Sequence, residues 1–321
     1  REGTRRCRPR RAGHRRVLRH DFGYTRERVI GCGSSRTFLP LPPVCVDPMA
    51  TTADDETAGR REYDPNAEHA FPDARLNEVL NEIRDDPEIT TYLEAQNVNA
   101  VTRKGYNDHG TKHVGIVRDR ALRLYDLLKT GGVRFNGASQ QGLEEADEPV
   151  IVALAATLHD VGHVVHRDQH SYYSIPLAAD ILDRLLPSFY DVEAQVRVKA
   201  EVLHAILCHH TEEEPLTREA GVIRIADGLD MEQGRSRVPY EKGGRGINTV
   251  SSQAIESVSL RPDDDVPVEV EIRMNNAAGV YQVDSLLKAK VDGSLLEDVV
   301  RIVAVNTRGD GESSLVERIE L

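Results

Sequence analysis

Residues that could bind a metal ion are concentrated in one third of this sequence. Nine of the twelve histidines lie between residues 109 and 210. They occur as pairs and as single residues, namely His109, His113, His159, His163, His166, His170, His204, His209 and His210. Asp160 directly follows His159, and Asp227 lies farther along the chain. Neutral imidazole and carboxylate are the usual protein ligands of zinc, iron and manganese, so this pattern predicts a metal centre.

The spacing of two histidine pairs indicates helices that carry both rings on one face. Residues four apart on a helix share a face, so we expect His109 to point with His113, and His159 with His163. His159 and its aspartate neighbour directly follow the apolar run 150–158. Buried polar groups cost several kcal/mol unless they are paired or bound to a metal. We therefore expect the His-Asp pair to bind a metal.

The elements that must position these residues are predicted to be mainly helical. Apolar residues recur at helical spacing in segments 74–96, 107–129, 150–163, 174–186, 192–210 and 222–231. The pattern changes near residue 245, after which period-2 segments appear at 255–260, 266–274, 299–306 and 315–321, with a helix at 280–291. We expect a mainly α fold, in which a helical bundle is followed by a small α+β C-terminal module.

Two segments ahead of the bundle differ from it in composition. Residues 1–48 contain twelve Arg, no Lys and four acidic residues, a net charge of +8 that leaves −20 for the remainder. The first methionine is Met49. We expect residues 1–48 to be a disordered or non-native leader, with a basic binding arm and a targeting peptide as alternatives. Residues 49–73 are expected to be a flexible acidic segment, residues 74–245 the bundle domain and residues 246–321 the C-terminal module.

Composition excludes some classes of partner. No stretch approaches the roughly 20 apolar residues of a membrane helix, so no membrane partner is expected. A charge of −20 opposes nucleic-acid binding by residues 49–321. Cys208 is the one cysteine after residue 48 and has no partner for an internal disulfide, which favours a cytoplasmic location. Homodimer formation is left open by the sequence.

In order and spacing, these residues resemble the HD-domain superfamily of metal-dependent phosphohydrolases. The family pattern is a first histidine, a later His-Asp pair and a distal aspartate on a helical bundle. The matching residues here are His113, His159, Asp160 and Asp227, and the resemblance covers about residues 100–240. It implies an HD-type bundle that binds one or two divalent ions, with Mn, Fe, Mg, Zn and Co as candidates.

Finer similarities point to two branches of that superfamily. His109 and His113 resemble the HxxxH motif of cyclic-nucleotide phosphodiesterases, in which the first histidine resembles a proton donor. His170 and the His209-His210 pair resemble the extra histidines of the HD-GYP branch, which implies a second metal ion. The sequence departs from that branch because the GYP signature is absent after His210 and because His163 stands where lysine is common.

The resemblance implies the following assignment. One ion binds His113, His159, Asp160 and Asp227, and Asp160 bridges to a second ion bound by His170, His209 or His210. Two ions about 4 Å apart would activate a hydroxide that attacks the phosphorus of a small phosphorylated substrate, expected to be a nucleotide. The expected catalytic residues are His109, Asp160 and His163, with His109 or His163 donating a proton to the leaving oxygen. Substrate phosphate is assigned to Lys112, Arg235 and Arg237.

Two other functions remain open on the same ligand set. Some HD-like di-iron proteins are oxygenases, and the histidine-rich second metal group would suit them. Bound iron with O₂ consumption would identify this class. A non-catalytic nucleotide sensor is the third alternative, and it predicts tight binding without turnover.

Overall fold

The computed structural model describes residues 74–232, 247–307 and 318–320, and helices predominate in it. The helices are α1 (Ala74–Asp85), α2 (Pro87–Asn97), α3 (Thr111–Thr130), α4 (Asn136–Gln141), α5 (Glu148–Leu158), α6 (His170–Leu185), α7 (Val192–Leu207), α8 (Arg218–Leu229), α9 (Ile247–Ser252) and α10 (Lys288–Val291). Two π-helical segments, Val98–Arg103 and Gln282–Leu287, follow α2 and precede α10. The predicted leader 1–48, the acidic segment 49–73 and the predicted boundary at residue 245 lie outside the described residues.

Three helices begin at side chains that accept hydrogen bonds from their first turns. Asp86 caps α2, Asp191 caps α7 and Thr217 caps α8. The first N–H groups of a helix have no partner inside it, so such caps fix where a helix starts. The three caps therefore fix the residues at which α2, α7 and α8 begin.

Helix α5 forms the centre of the helical bundle. All eleven of its residues are buried, and it packs against α1, α3, α7 and α8. Glu148, at its first position, accepts hydrogen bonds from Tyr125 Oη at 3.0 Å and Lys129 Nζ at 2.7 Å, so its burial is compensated. The apolar run that predicted a buried helix is thus the element around which the others are arranged.

The C-terminal residues form a four-stranded sheet in the order β1 (Ile255–Arg261), β2 (Val268–Met274), β3 (Val300–Asn306), β4 (Arg318–Glu320). Strand β2 is antiparallel to β1 and parallel to β3, and β4 is antiparallel to β3. In the register, Val270 lies between Leu260 and Ile302. Val270 and Ile302 belong to the same hydrophobic cluster as the helices. The predicted fold class, a mainly α bundle followed by a small α+β region, is confirmed.

The helix predicted at 74–96 is two helices, α1 and α2, because Asp86 caps α2 and Pro87 begins it. Other helices are shorter than predicted at the histidines. Helix α3 begins at Thr111 rather than at 107. Helix α5 ends at Leu158 and is followed by the 3-10 turn Val161–Val164, and α7 ends at Leu207. The connection between α3 and α5 contains α4, whose first N–H groups bond to the buried carboxylate of Glu219.

No helix in the described ranges is both long and apolar enough to cross a lipid bilayer. The most apolar helix, α5, has 11 residues. A membrane span needs roughly 20.

Candidate metal centre

The predicted metal ligands and catalytic residues lie at the ends of five helices that meet at one place. His109 and His113 lie just before and in the first turn of α3, His159 and Asp160 follow α5, His163 lies in the next 3-10 turn, His170 begins α6, His209 and His210 follow α7, and Asp227 lies in the last turn of α8. The centroids of neighbouring imidazole rings are 4.0–5.4 Å apart. The nine residues therefore form one continuous cluster.

Asp160 lies at the middle of this cluster. Its Oδ2 is 2.7 Å from His109 Nδ1 and 3.4 Å from His113 Nε2. Its Oδ1 is 3.1 Å from His170 Nε2 and 3.7 Å from His209 Nε2. The two carboxylate oxygens thus face different groups of imidazoles, as a carboxylate that bridges two cations would.

Backbone hydrogen bonds fix the tautomer of three histidines. The Nδ1 atoms of His159, His170 and His209 lie 2.8, 2.7 and 2.6 Å from the carbonyl oxygen three residues earlier in each case. A carbonyl oxygen only accepts, so each Nδ1 carries the hydrogen and each Nε2 keeps its lone pair. These Nε2 atoms face Asp160, which is the arrangement that a metal-binding imidazole requires.

A carboxylate orients a fourth histidine in the same way. His113 Nδ1 lies 2.6 Å from Asp230 Oδ2, just beyond the end of α8. His113 Nε2 is 3.4 Å from Asp160 Oδ2 and 3.4 Å from Asp227 Oδ1. Metal-binding histidines commonly donate their other N–H to a carboxylate, which fixes the ring. Asp230 therefore supports His113 from outside the ligand set.

Burial gives a direct test of whether these residues fit a cation. His159 and His209 are fully buried, and His163 is 1 % exposed. The Nε2 atoms of His159 and His163 are buried without a hydrogen-bond partner. An unsatisfied buried polar group costs about 1–3 kcal/mol, and a bound cation would remove that cost. The donor set of imidazole nitrogens and carboxylate oxygens fits a divalent transition-metal ion.

The ligand atoms divide into groups that suit two ions. In each group, ligand atoms from three residues lie within 4.8 Å of one another. One group is His113, His159 and Asp227, and another is His170, His209 and His210. Asp160 forms further such groups with His109 and His113, with His159 and His209, and with His163 and His170.

For most of the candidate ligands the electrostatics favour the protonation states that bind metals. Burial raises the pKa of Asp160, but the surrounding histidines, His159 first, outweigh it and hold the pKa well below its ordinary value. Burial lowers the pKa of His159 and lowers that of His209 well below its ordinary value. Partial burial and the nearby Lys290 ammonium lower the pKa of His210 to about 4. Near neutral pH these groups are an ionised carboxylate and neutral imidazoles, the forms that divalent cations bind. His170 differs, because burial lowers its pKa but its hydrogen bond with Asp160 outweighs burial and raises the pKa.

Helix ends add to the attraction for cations. Helices α5, α7 and α8 end at the cluster, so their C-terminal carbonyls lie on its side of the bundle. The C-terminus of a helix carries a partial negative charge of roughly half an elementary unit. The N-termini of α3 and α6 also lie at the cluster and carry the opposite partial charge, so the helix ends favour a cation only by the excess of three C-termini over two N-termini.

Two polar side chains hold the turn that carries His159, Asp160 and His163. Ser174 Oγ in α6 donates to the carbonyl oxygen of His159 at 2.7 Å and accepts from the N–H of Gly162 at 2.8 Å. Asn99 Nδ2 donates to the carbonyl oxygen of His163 at 2.8 Å. A Cβ atom on Gly162 would lie 2.0 Å from the carbonyl oxygen of His170, so the turn and α6 are in backbone contact.

Of the predicted phosphate-binding residues, Lys112 alone lies within the described ranges. Lys112 is exposed in the first turn of α3, beside His113 in sequence. Arg235 and Arg237 lie outside the described residues. Among the cations that the description does cover, Arg167 has its Nη1 3.4 Å from His109 Nε2. Its guanidinium stacks on the Tyr106 ring, 4.4 Å from the centroid.

Sequence reasoning missed Lys290, Arg167 and Ser174. Lys290 Nζ lies 2.6 Å from Asp227 Oδ2, although the two residues are 63 positions apart. No spacing rule connects residues so distant in sequence. Arg167 had a weak signal, because it lies in the histidine-rich segment between His163 and His170.

Comparisons with known proteins agree with this geometry. A family model described as HD domain matches residues 133–232. That span includes His159, Asp160 and Asp227, whereas His109 and His113 precede it. The chain is also similar to the uncharacterized protein MJ1020 of Methanocaldococcus jannaschii. The two are 36 % identical over 243 residues, which cover 76 % of this chain and 93 % of that protein.

Proposed function

This chain belongs to the HD domain family, and we propose that it is a metal-dependent phosphohydrolase that cleaves a small phosphoester, a nucleotide in particular. The family is generally hydrolytic, and its members bind divalent metals. The choice of a nucleotide rests on the sequence resemblance to nucleotide phosphodiesterases. The described residues supply ligands for one ion or two.

One observation carries the proposal. The Nε2 atoms of three histidines have their lone pairs fixed toward one carboxylate, because each Nδ1–H is held by a backbone carbonyl. A protein core has no structural need for such a set of inward-facing lone pairs. Bound divalent ions would supply the positive charge that acidifies a water molecule and stabilises the phosphoryl group in the transition state.

Residues of the chain itself would donate the proton that the leaving oxygen needs. His109 Nδ1 lies 2.7 Å from Asp160 Oδ2, and a carboxylate only accepts, so His109 donates from Nδ1. Its Nε2 is then the position that exchanges a proton with the leaving oxygen, and Asp160 stabilises the imidazolium form. His163, whose ring centroid is 4.4 Å from that of His109, is the second candidate donor.

Cationic side chains at the edge of the histidine cluster would bind the substrate phosphate. Arg167 lies against His109 and has the planar guanidinium that binds phosphate in two places. Lys112 lies on the first turn of α3, and Arg235 and Arg237 remain proposed phosphate ligands. These local cations would offset the charge of −20 on residues 49–321.

The test joins metal content to turnover. Purified full-length protein would be analysed for bound metal and assayed with Mn²⁺ on mono-, di-, tri- and cyclic nucleotides for release of phosphate or nucleoside. We expect one or two ions per chain and hydrolysis of at least one substrate. Asp160→Asn should abolish both metal binding and hydrolysis, and His170→Gln should lower the metal content. His166→Gln is the matched control, because His166 is in the same segment but its side chain is 49 % exposed.

Absence of bound metal would contradict the proposal. A second candidate function is favoured by the three-histidine group His170, His209 and His210, which suits iron. Bound iron and O₂ consumption without phosphoester turnover would identify an HD-like di-iron oxygenase instead. Tight nucleotide binding without any turnover would identify a sensor.

A further inference from the structure

We propose that Lys290, from the C-terminal α+β region, is a positioning residue of the metal centre. It holds Asp227 so that one carboxylate oxygen faces the ligand cluster, and it provides the counter-charge of that carboxylate when no metal is bound. This inference rests on the metal-binding part of the proposed function. It means that the region after residue 245 completes the site of the helical bundle.

The two oxygens of Asp227 face different partners. Oδ2 accepts a hydrogen bond from Lys290 Nζ at 2.6 Å. Oδ1 faces the cluster, 3.4 Å from His113 Nε2 and 3.8 Å from His159 Nε2. Because the ammonium occupies Oδ2, only Oδ1 is presented to an ion bound by His113 and His159.

Lys290 also joins the two predicted metal groups. Its Nζ donates to the carbonyl oxygen of His209 at 2.9 Å, while the His209 ring faces Asp160. One ammonium therefore bonds to Asp227, which groups with His113 and His159, and to the backbone of His209, which groups with His170 and His210. Its side chain is only 13 % exposed, so these bonds are shielded from water.

The packing of α10 on α8 keeps Lys290 in this position. A Cβ atom on Gly228 would lie 2.8 Å from Lys290 Cδ and 3.2 Å from Leu287 Cδ1. A Cβ atom on Gly221 would lie 2.0 Å from the carbonyl oxygen of Ser294. The two glycines of α8 thus allow the C-terminal segment to approach closely. This close approach holds the segment that carries Lys290 against α8. The Lys290 side chain is therefore already in position, unlike an exposed side chain, which would be flexible.

Removing the ammonium has two separable consequences. Asp227 becomes free to turn and present both oxygens, which raises the coordination number of a bound ion. Without metal, it becomes a carboxylate, 14 % exposed, that has lost its cationic partner, which is destabilising. A bound ion restores a counter-charge, so the stability loss should be smaller in the metal-loaded protein.

The experiment uses Co²⁺, whose visible absorption bands change with coordination number. Full-length Lys290→Met would be compared with Lys288→Met, a matched control on the same helix whose Nζ is 3.6 Å from Asp292. We expect Lys290→Met alone to change the intensity and position of the Co²⁺ bands. In EDTA its Tm should fall by about 5 °C or more, and saturating Co²⁺ should reduce that difference to less than half.

Each alternative result has a distinct meaning. Co²⁺ bands unchanged in Lys290→Met, or equal Tm losses with and without Co²⁺, would overturn the positioning role and leave the proposed function intact. Failure of the unsubstituted protein to bind Co²⁺ would overturn the proposed function and this role together.

If Lys290→Met does not fold in EDTA, the double variant Asp227→Asn with Lys290→Met should fold. A neutral amide needs no cation beside it. Failure of the double variant to fold would also overturn the inference, because the defect would then not come from the unpaired carboxylate.

Discussion

Ser174→Ala should loosen the turn that carries the His159-Asp160 pair. The Ser174 hydroxyl lies in α6, is fully buried and bridges two backbone groups of that turn. It accepts from the N–H of Gly162 at 2.8 Å and donates to the carbonyl oxygen of His159 at 2.7 Å. Alanine has nearly the same volume, so the substitution removes these bonds with little change in packing.

The expected cost follows from the two groups left behind. A buried donor without a partner costs about 1–3 kcal/mol, and the N–H of Gly162 is such a donor. The carbonyl oxygen of His159 has two lone pairs and adds about 1 kcal/mol. We expect the free energy of unfolding to fall by about 2–4 kcal/mol. Affinity for Mn²⁺ should fall roughly tenfold, because the turn and His170 are held together through this hydroxyl.

Urea denaturation in EDTA, followed by circular dichroism, measures the free energy of unfolding, and a Mn²⁺ titration measures the affinity for Mn²⁺. Ser171→Ala is the matched control, because Ser171 is 7 % exposed in the same helix and makes neither of these bonds. A loss below about 1 kcal/mol, or a loss equal to that of Ser171→Ala, would refute the reasoning. The hydroxyl would then not be what satisfies the two backbone groups.

Two further predictions concern a helix cap and the rim of the site. Although burial raises the pKa of Asp86, its hydrogen bond from Arg184 and the N–H groups of α2 hold the pKa below 3.8. The contribution of Asp86 to the free energy of unfolding should therefore be present above pH 3.8. It should be lost as the pH falls through the lower pKa that Asp86 has in the folded protein. Asp86→Ala should cost about 1–2 kcal/mol at pH 7 and less below pH 3.8 in urea titrations, unlike the exposed control Asp85→Ala. Arg167→Met should raise KM for the nucleotide about tenfold with kcat little changed. Arg123→Met, a control whose side chain is 50 % exposed on α3, should not, and an equal fall in kcat for Arg167→Met would contradict a binding role.

Hydrophobic periodicity predicted the elements well because the helical core is nearly continuous. The apolar run 150–158 forms the fully buried α5, and the period-2 segments became strands within two residues for β1, β2 and β3. The predicted helix 280–291 is a π-helical segment followed by α10. This segment packs on α8, where a Cβ atom on Gly228 would lie 3.2 Å from Leu287 Cδ1. Such tertiary packing has no signature in a single segment of sequence.

Residue type was enough to predict which side chains would cluster, while the geometry of the cluster was not predictable. The i, i+4 argument placed His109 and His113 on one helical face. In the structure His109 precedes α3, and Gly110 separates it from the helix. The two rings still lie 5.2 Å apart, because both face Asp160. Contacts between distant segments, such as Lys290 with Asp227, depend on how α10 docks and could not be read from spacing.

The ends of the helices explain why this site forms where it does. The last carbonyls of a helix have no N–H partner within it. In α5 and α7 one such carbonyl, of Ala156 and of Ile206, accepts the Nδ1–H of His159 and His209. The bond satisfies the orphan oxygen and at the same time fixes the Nε2 lone pair toward the cluster. If both helices continued through these residues, each carbonyl would receive a backbone N–H and the imidazoles would lose their tautomeric control. Early helix termination, which sequence periodicity did not predict, therefore gives His159 and His209 the orientation that metal binding would need.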